Sequence, residues 1–396
     1  MPREIDVTDC AWRSDAQYDG ATDGFAGIDR NAFYALVFPQ AHLVGAHFRF
    51  RGQFPRARYF GFQTYDQATL PIDVLPDATM VPDRGSVNPF RGARWRAGHV
   101  FYTLDLLDVA PNRRPTPRPP NVLYGGYDKG GRSIANDDLE YRIYVPDRSI
   151  TGPGIVPGDV PLPRVRYVID DPQTAQYHSH DEVCRFRDAG VFRGVAAGDN
   201  LFRGLSPVLR QTGAGPSPAA NPPGWIQAPA GTTYPYLNQE TGYLLAFIDD
   251  VYGEVLALRF KAPSFPRTEA GEPLTNVRQV RYWSVCTIQT IDFTNTDACL
   301  RDAQLRPDGA GFVTVAVSTR RPNDDKARPF GWLPYPGGAP FLFIRQIVAS
   351  PRTFPQSAAF PSGSGGVRAH LGPYYPGGTY CSMARFEADR CGLGRR

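Results

Sequence analysis

The densest run of groups able to do acid–base or metal chemistry is His178-Ser179-His180-Asp181-Glu182. On a strand, His178, His180 and Glu182 would share one face, and two imidazoles with a carboxylate could hold a divalent ion with open positions. That pattern would make the protein a metal-assisted hydrolase or lyase working through His178 and His180. At a helix start the same letters form the capping box S-x-x-E, with Asp181 and Glu182 at the positive end of the helix dipole. Val183 and Phe186 follow one turn apart and Gly190 supplies a stop, so the flanking residues favour the cap. No cofactor is expected on the capping reading; a divalent metal belongs to the alternative. His42, His47 and His99 sit in strand-like segments and are expected to be structural.

The common enzyme signatures G-x-S-x-G, H-E-x-x-H, G-x-x-x-x-G-K-[ST] and G-x-G-x-x-G do not occur. Their absence weighs against a serine hydrolase of the α/β type, a zincin, and a nucleotide or dinucleotide enzyme. A formal charge of +4 over 396 residues gives no reason to expect nucleic acid or a membrane surface as partner. There is no apolar run long enough for a membrane span. Cysteine usage is more telling. The count of six is even and no C-x-x-C occurs, which points to disulfides before metal. Local spacing pairs Cys286 with Cys299 and Cys381 with Cys391, leaving Cys10 and Cys184 as a long-range pair. Three such bridges imply an oxidising compartment, secreted or periplasmic. Residues 1–20 are polar and lack the apolar core of a secretory signal, so the chain is expected to be a mature exported sequence behind an added initiator Met, the alternative being a cytosolic protein with six thiols.

The elements that must position any site are strands. Gly 40 and Pro 39 argue for many short strands and turns. Arg58 to Asp66 (RYFGFQTYD) alternates aromatic and polar residues and is echoed by Arg281 to Gln289 (RYWSVCTIQ). Asn31 to Phe38 resembles Asn238 to Phe247, each followed by an apolar run, His42 to Phe50 or Val255 to Phe260; Tyr141 to Pro146 resembles Phe312 to Ser318. A strand order repeated at this distance predicts an all-β protein of two related antiparallel β-sandwich or jelly-roll-like lobes with a short helical insertion between them. The expected divisions are an N-terminal arm over 1–24, lobe 1 over 25–170, the helical insertion over 171–206, a Pro/Gly linker over 207–231, lobe 2 over 232–349, and an irregular tail over 350–396. Within the repeated strands, Tyr59 and Tyr282 should face away from Phe60 and Trp283, so Arg58, Tyr59, Tyr65, Arg281, Tyr282 and Trp283 are the candidate ligand-binding set. Arginine and aromatic rings on a sheet suit sugars or flat organic molecules.

The Arg-Tyr-aromatic strands, the segment Tyr141 to Asp147 followed by Leu162-Pro163-Arg164-Val165, and Gly331-Trp332-Leu333-Pro334 before the run Phe341 to Val348 resemble a group of uncharacterised exported bacterial proteins. That group is similar to the paired "domain of unknown function" proteins, whose strand motif is R-[YF]-x-S-x-x-x-[YI]-D. Gly61 and Ser284 stand at the position of the motif's small residue. The resemblance implies a β-sandwich fold and an export route; it brings no catalytic residues. The expectation is an exported protein that binds a small molecule or glycan in an aromatic/Arg-lined cleft between the lobes, or that has a structural extracellular role. Self-assembly through exposed sheet edges is a third reading.

Overall fold

The computed structural model describes residues 3–393 apart from 13–16, 23–27, 38–42, 67, 135–137, 151, 186–218, 234–235, 269–271, 275–277, 289–295, 326, 336 and 338–340. It is an all-β protein of two lobes. In the first, β1 (Arg3–Asp6), β4 (Ala46–Gln53), β7 (Phe101–Asp108), β8 (Val122–Gly125) and β12 (Arg164–Ile169) form one sheet in the order β1-β12-β4-β7-β8. The facing sheet is β2-β3-β9-β5-β6, built from β2 (Gln17–Asp19), β3 (Ala32–Val37), β5 (Tyr59–Tyr65), β6 (Pro71–Pro76) and β9 (Asp138–Tyr144). A two-strand hairpin, β10 (Ile155–Val156) with β11 (Val160–Pro161), completes the lobe.

The second lobe repeats this plan. Its sheets run β13-β14-β20-β16-β17 and β19-β18-β15-β21, from β13 (Ile226–Ala228), β14 (Thr241–Phe247), β15 (Val255–Lys261), β16 (Tyr282–Ile288), β17 (Thr296–Arg301), β18 (Phe312–Ser318), β19 (Gly331–Pro334), β20 (Phe341–Ile347) and β21 (Gly377–Cys381). Even the exceptions recur: β7–β8 and β18–β19 are parallel, and the other pairings are antiparallel. Tyr59 and Tyr282 occupy equivalent strands, β5 and β16, each flanked by the same two neighbours of its sheet. Phe50, Phe60, Phe62 and Tyr141 fill the first sandwich; Leu244, Trp283, Val315 and Ile344 fill the second.

Several expectations are corrected. Tyr141 to Pro146 does not correspond to Phe312 to Ser318. It belongs to β9, between β3 and β5, and its counterpart is β20, between β14 and β16; β18 corresponds to β7. Both are apolar strands, and alternation alone cannot tell which neighbour a strand takes. The N-terminal arm is packed: β1 and β2 cap an edge of each sheet, and Trp12 donates its indole N–H to Pro163 O at 2.6 Å. The tail is likewise part of the second lobe. Its β21 pairs with β15 as β12 pairs with β4. Ile226–Ala228, expected inside the linker, is the edge strand β13. Most of the helical insertion and nearly half of the Pro/Gly linker lie outside the described residues.

Two arginines of the proline-rich loop at 111–120 fold back onto lobe 1, while Arg113 is exposed. Arg118 grips Asp73 at 2.7 Å and Arg114 lies 4.5 Å over the Tyr124 ring. All three disulfides form as spacing suggests. Cys286–Cys299 links directly opposed residues of β16 and β17. Cys381–Cys391 ties β21 to the turn after the last helix, and Cys10–Cys184 joins the N-terminal turn to the helix His180–Cys184. Peptide mapping without reduction should recover these three links and no others. Replacing Cys286 and Cys299 by Ala should lower stability by about 3 kcal/mol in a denaturant titration.

Candidate functional site

Side chains of β5 and β16 alternate between two faces. Phe60 and Phe62, like Trp283 and Val285, enter the sandwich cores, and Trp283 donates its indole N–H to Pro263 O at 3.0 Å. The other face, carrying Tyr59 and Tyr282, is covered by the opposite lobe. Tyr34, Tyr59, Tyr144, Tyr282 and Ile347 form one buried cluster, with the Tyr144 and Tyr282 rings 5.5 Å apart.

The two arginines that open these strands cross between the lobes. Arg58 Nη1 lies 2.6 Å from both carboxylate oxygens of Asp302, and Arg281 Nη1 lies 2.5 Å from Asp77. Each aspartate starts the short 3-10 turn after β6 or β17, and accepts the backbone N–H of its own lobe's strand: Phe60 N at 3.0 Å for Asp77, Trp283 N at 3.2 Å for Asp302. Even the stacking recurs, with Arg58 over Phe265 and Arg281 over Phe90. Burial raises both carboxyl pKa values against the pull of the guanidinium groups and backbone N–H donors. A second reciprocal pair lies beside the first. Tyr282 donates to Asp29 at 2.8 Å, and Asn238, at the position in lobe 2 that Asp29 holds in lobe 1, donates to Tyr59 at 3.5 Å.

The expected ligand-binding set is therefore corrected. Arg58, Tyr59, Tyr282 and Trp283 are at most 1 % exposed and Arg281 9 %; they fasten one lobe to the other or fill a core, and leave no open surface on which a ligand could stack. Tyr65 is also enclosed, against the Tyr236 ring.

Around Tyr65 the two lobes diverge. Strand β9 carries Asp138, Glu140 and Arg142 on the lobe-facing side, where register places Phe341, Phe343 and Arg345 in β20. Arg142 donates to the Glu140 carboxylate and to the Tyr65 hydroxyl. The residue opposite each arginine, Gly61 or Ser284, is small, and a Cβ on Gly61 would stand 2.9 Å from the Tyr59 hydroxyl. Burial, reinforced by Glu140 and Asp66 and opposed by the Tyr236 hydroxyl, pushes the Asp138 carboxyl up to about 7.

An open cleft of about 760 Å³ lies between the lobes, beside the Arg281–Asp77 contact. Lobe 1 contributes Arg56, Phe90, Arg94, Trp95 and Arg96, and lobe 2 contributes Thr268, Glu272, Pro273 and Leu274. Asn88 caps the turn Pro89–Arg91 through Phe90 N, which sets the start of the loop. Trp95 donates its indole N–H to Phe54 O at 2.8 Å, and Arg56 lies 5.5 Å from its ring centre. The carboxylates here are engaged: Glu272 accepts from Arg278 and from Arg267 N, and Asp147 pairs with Arg56 at 3.2 Å. Arg94 and Arg96 are exposed and have no ion-pair partner among the described residues. Sequence reading missed this loop. Its signal was an Arg-Trp-Arg triplet between Gly92 and Gly98 in a stretch without strand periodicity.

Ser179 accepts from Glu182 N at 3.4 Å and Glu182 accepts from Ser179 N at 3.1 Å, closing the capping box. Glu182 is thus committed to the helix start and to His178 N, and does not converge with His178 and His180 on one point. His180 instead pairs with Asp9 at 2.9 Å, which raises its pKa. Asp9, Cys10, His180 and Cys184 bring ligand-type atoms within 4.8 Å of one another, but the two sulfurs are bonded to each other and offer no thiolate. His47 sits between Asp170 and Asp105, at 2.7 and 3.5 Å, a structural role. His99 is exposed, and His42 lies outside the described residues.

No family model and no curated protein matches the chain. Among solved structures it is similar to an uncharacterised protein from Burkholderia cenocepacia, at 14% identity over 87% of this chain and 80% of that one, with a TM-score of 0.51. The VPA0106 protein from Vibrio parahaemolyticus aligns over 89% of each chain at 11% identity, with a TM-score of 0.39, too low to carry an argument. The structural neighbours are uncharacterised bacterial proteins, and the first supports the fold alone.

Removing one partner of a buried ion pair strands the other charge. Arg58→Met should therefore lower unfolding free energy by about 3–5 kcal/mol, and Arg58→Met with Asp302→Leu by clearly less, in chemical denaturation. The Asp138 carboxyl binds its proton more tightly folded than unfolded. Its contribution to stability is full below the ordinary value of 3.8 and lost as pH rises towards about 7. Asp138→Asn should flatten that decline, so that the variant melts higher than the parent at about pH 8 and not at about pH 4.

Proposed function

We propose that this is an exported binding protein whose ligand is an acidic saccharide held in the cleft between the lobes. The observation that carries the reading is the Arg94-Trp95-Arg96 loop at the cleft mouth. It offers two guanidinium groups with no carboxylate partner among the described residues, beside an indole whose orientation is set by its bond to Phe54 O. An aromatic ring flanked by cations suits a sugar ring bearing a carboxylate or sulfate, because the ring takes the C–H face and the guanidinium forks take the anion. The volume of about 760 Å³ lies within the range of about 300–1,000 Å³ usual for small-ligand sites. Placement at a lobe boundary fits the same pattern.

Export is supported by the three disulfides, which persist in oxidising compartments. It agrees with the resemblance to exported bacterial proteins of the paired "domain of unknown function" type. A binding role needs only a shaped surface, and the catalytic alternative through His178 and His180 has lost Glu182 to the capping box.

Titration calorimetry against uronic-acid and sulfated oligosaccharides, with neutral oligosaccharides as controls, tests the reading. Acidic ligands should bind and neutral ones should not. The double variant Arg94→Ala with Arg96→Ala should lose on the order of tenfold or more in affinity, and raised salt should weaken binding of the parent. Trp95→Ala should lose binding and also lower the melting temperature, because the ring packs against the lobe 1 core. Equal affinity for neutral sugars, or an undiminished double variant, would remove the proposal.

A further inference from the structure

Lobe 2 carries a second concavity, remote in sequence from the cleft and built where the last helix, Met383–Asp389, meets the neighbouring ends of β15 and β18. Its volume is about 360 Å³, and Arg259, Arg306, Arg328 and Arg390 all line it. Arg390 is 4 % exposed. Its guanidinium lies between two rings, 4.7 Å from the centroid of Phe330 and 4.7 Å from that of Phe386. Two of its nitrogens donate to backbone carbonyls, Nη1 to Phe386 O and Nη2 to Arg328 O, both at 2.9 Å. Nε has no hydrogen-bond partner among the described residues. A buried guanidinium N–H left unmatched is expensive and calls for an acceptor.

The acceptors nearby are already engaged. Asp325 stands 3.7 Å from Arg390 but is held at 2.8 Å by Arg328 Nε, and it also accepts Ala327 N. Asp308 takes Arg259 at 2.5 Å on one oxygen and the N–H groups of Ala310 and Phe312 on the other. Asp389 accepts Gly392 N at 3.0 Å and lies 3.9 Å from Arg385. Glu387 accepts Asn323 N. Arg328 has its own donors filled by the carbonyls of Ala388 and Glu387 as well as by Asp325. What remains is donor capacity without acceptors: Arg390 Nε, and the whole guanidinium of Arg306, which is exposed and has no partner among the described residues. Burial, with the neighbouring Arg328 charge, also pushes the Arg390 pKa down from its usual value, so a bound anion would relieve the desolvated cation.

We infer that this pocket binds a small tetrahedral oxyanion, a phosphate or sulfate group, with Arg390 as the buried anchor and Arg306 as the closing donor. The unpartnered guanidinium of Arg306 can match two such oxygens in bidentate fashion, while Arg390 offers Nε alone. The Cys381–Cys391 bridge fixes the backbone beside the anchor, so the site is rigid before the ligand arrives. This site is independent of the saccharide cleft.

The test is calorimetry and thermal shift with inorganic phosphate, inorganic sulfate and a sugar phosphate, against chloride and acetate at matched ionic strength. The expected result is one phosphate or sulfate per chain, a raised melting temperature, and no response to chloride or acetate. Arg306→Ala, an exposed change that leaves the fold in place, should weaken binding by on the order of tenfold or more. Arg390→Lys keeps the charge but removes the Nε donor, and should weaken it as well; should that variant fail to fold, Arg306→Ala still decides. Tighter binding of the sugar phosphate than of free phosphate identifies a phosphoester ligand, and the reverse identifies the free ion; both support the site. No response beyond chloride, an undiminished Arg306→Ala, or loss of phosphate binding in Arg94→Ala with Arg96→Ala would overturn it.

Discussion

Each lobe holds the other by one contact made twice: an arginine opening a central strand reaches an aspartate that already binds a backbone N–H of the far sheet. In Arg58–Asp302 and Arg281–Asp77 the charged groups are nearly or wholly withdrawn from water. A buried ion pair brings little net stability, because desolvation offsets most of the attraction. It selects strongly, however. Any other docking of the two sheets would leave four charges buried without partners, so the reciprocal pairs admit one relative placement. The Tyr282–Asp29 and Asn238–Tyr59 contacts add polar matching to the same seam.

That constraint explains where divergence is tolerated. The repeated strands keep Arg, Tyr and an inward aromatic because these groups serve both the sandwich core and the seam. Away from the two ion pairs the lobes differ freely. Asp138 and Glu140 on β9 occupy the positions that Phe341 and Phe343 hold on β20, which adds an ionisable patch at one end of the contact. The cleft is asymmetric for the same reason. It is walled by the loop Arg94-Trp95-Arg96 on one side and by Thr268, Glu272, Pro273 and Leu274 on the other. The Arg390 pocket depends on the last helix and its disulfide, additions to lobe 2 outside the repeated strands. Function on a duplicated scaffold is thus read from loops and terminal additions, where no seam contact restrains the sequence.

Sequence by itself determined the strand content, the two-lobe order, the local pairs Cys286–Cys299 and Cys381–Cys391 and the capping box at Ser179. Each rests on information local to the chain: period-2 alternation, short spacing between thiols, and a three-residue interval between a hydroxyl and a carboxylate. It also divided Tyr59 from Phe60 and Tyr282 from Trp283 correctly between two faces. Tertiary structure alone decided what the second face meets. A strand pattern shows that a residue leaves its own core and not whether water or another lobe receives it, which is why Arg58 and Tyr59 read as a ligand surface and proved to be a seam. Partners more than two hundred residues apart, Arg58 with Asp302 and Arg281 with Asp77, have no local signature. The same holds for the Arg94-Trp95-Arg96 cleft and the Arg390 pocket, whose concave shapes arise only when separate segments are folded against one another.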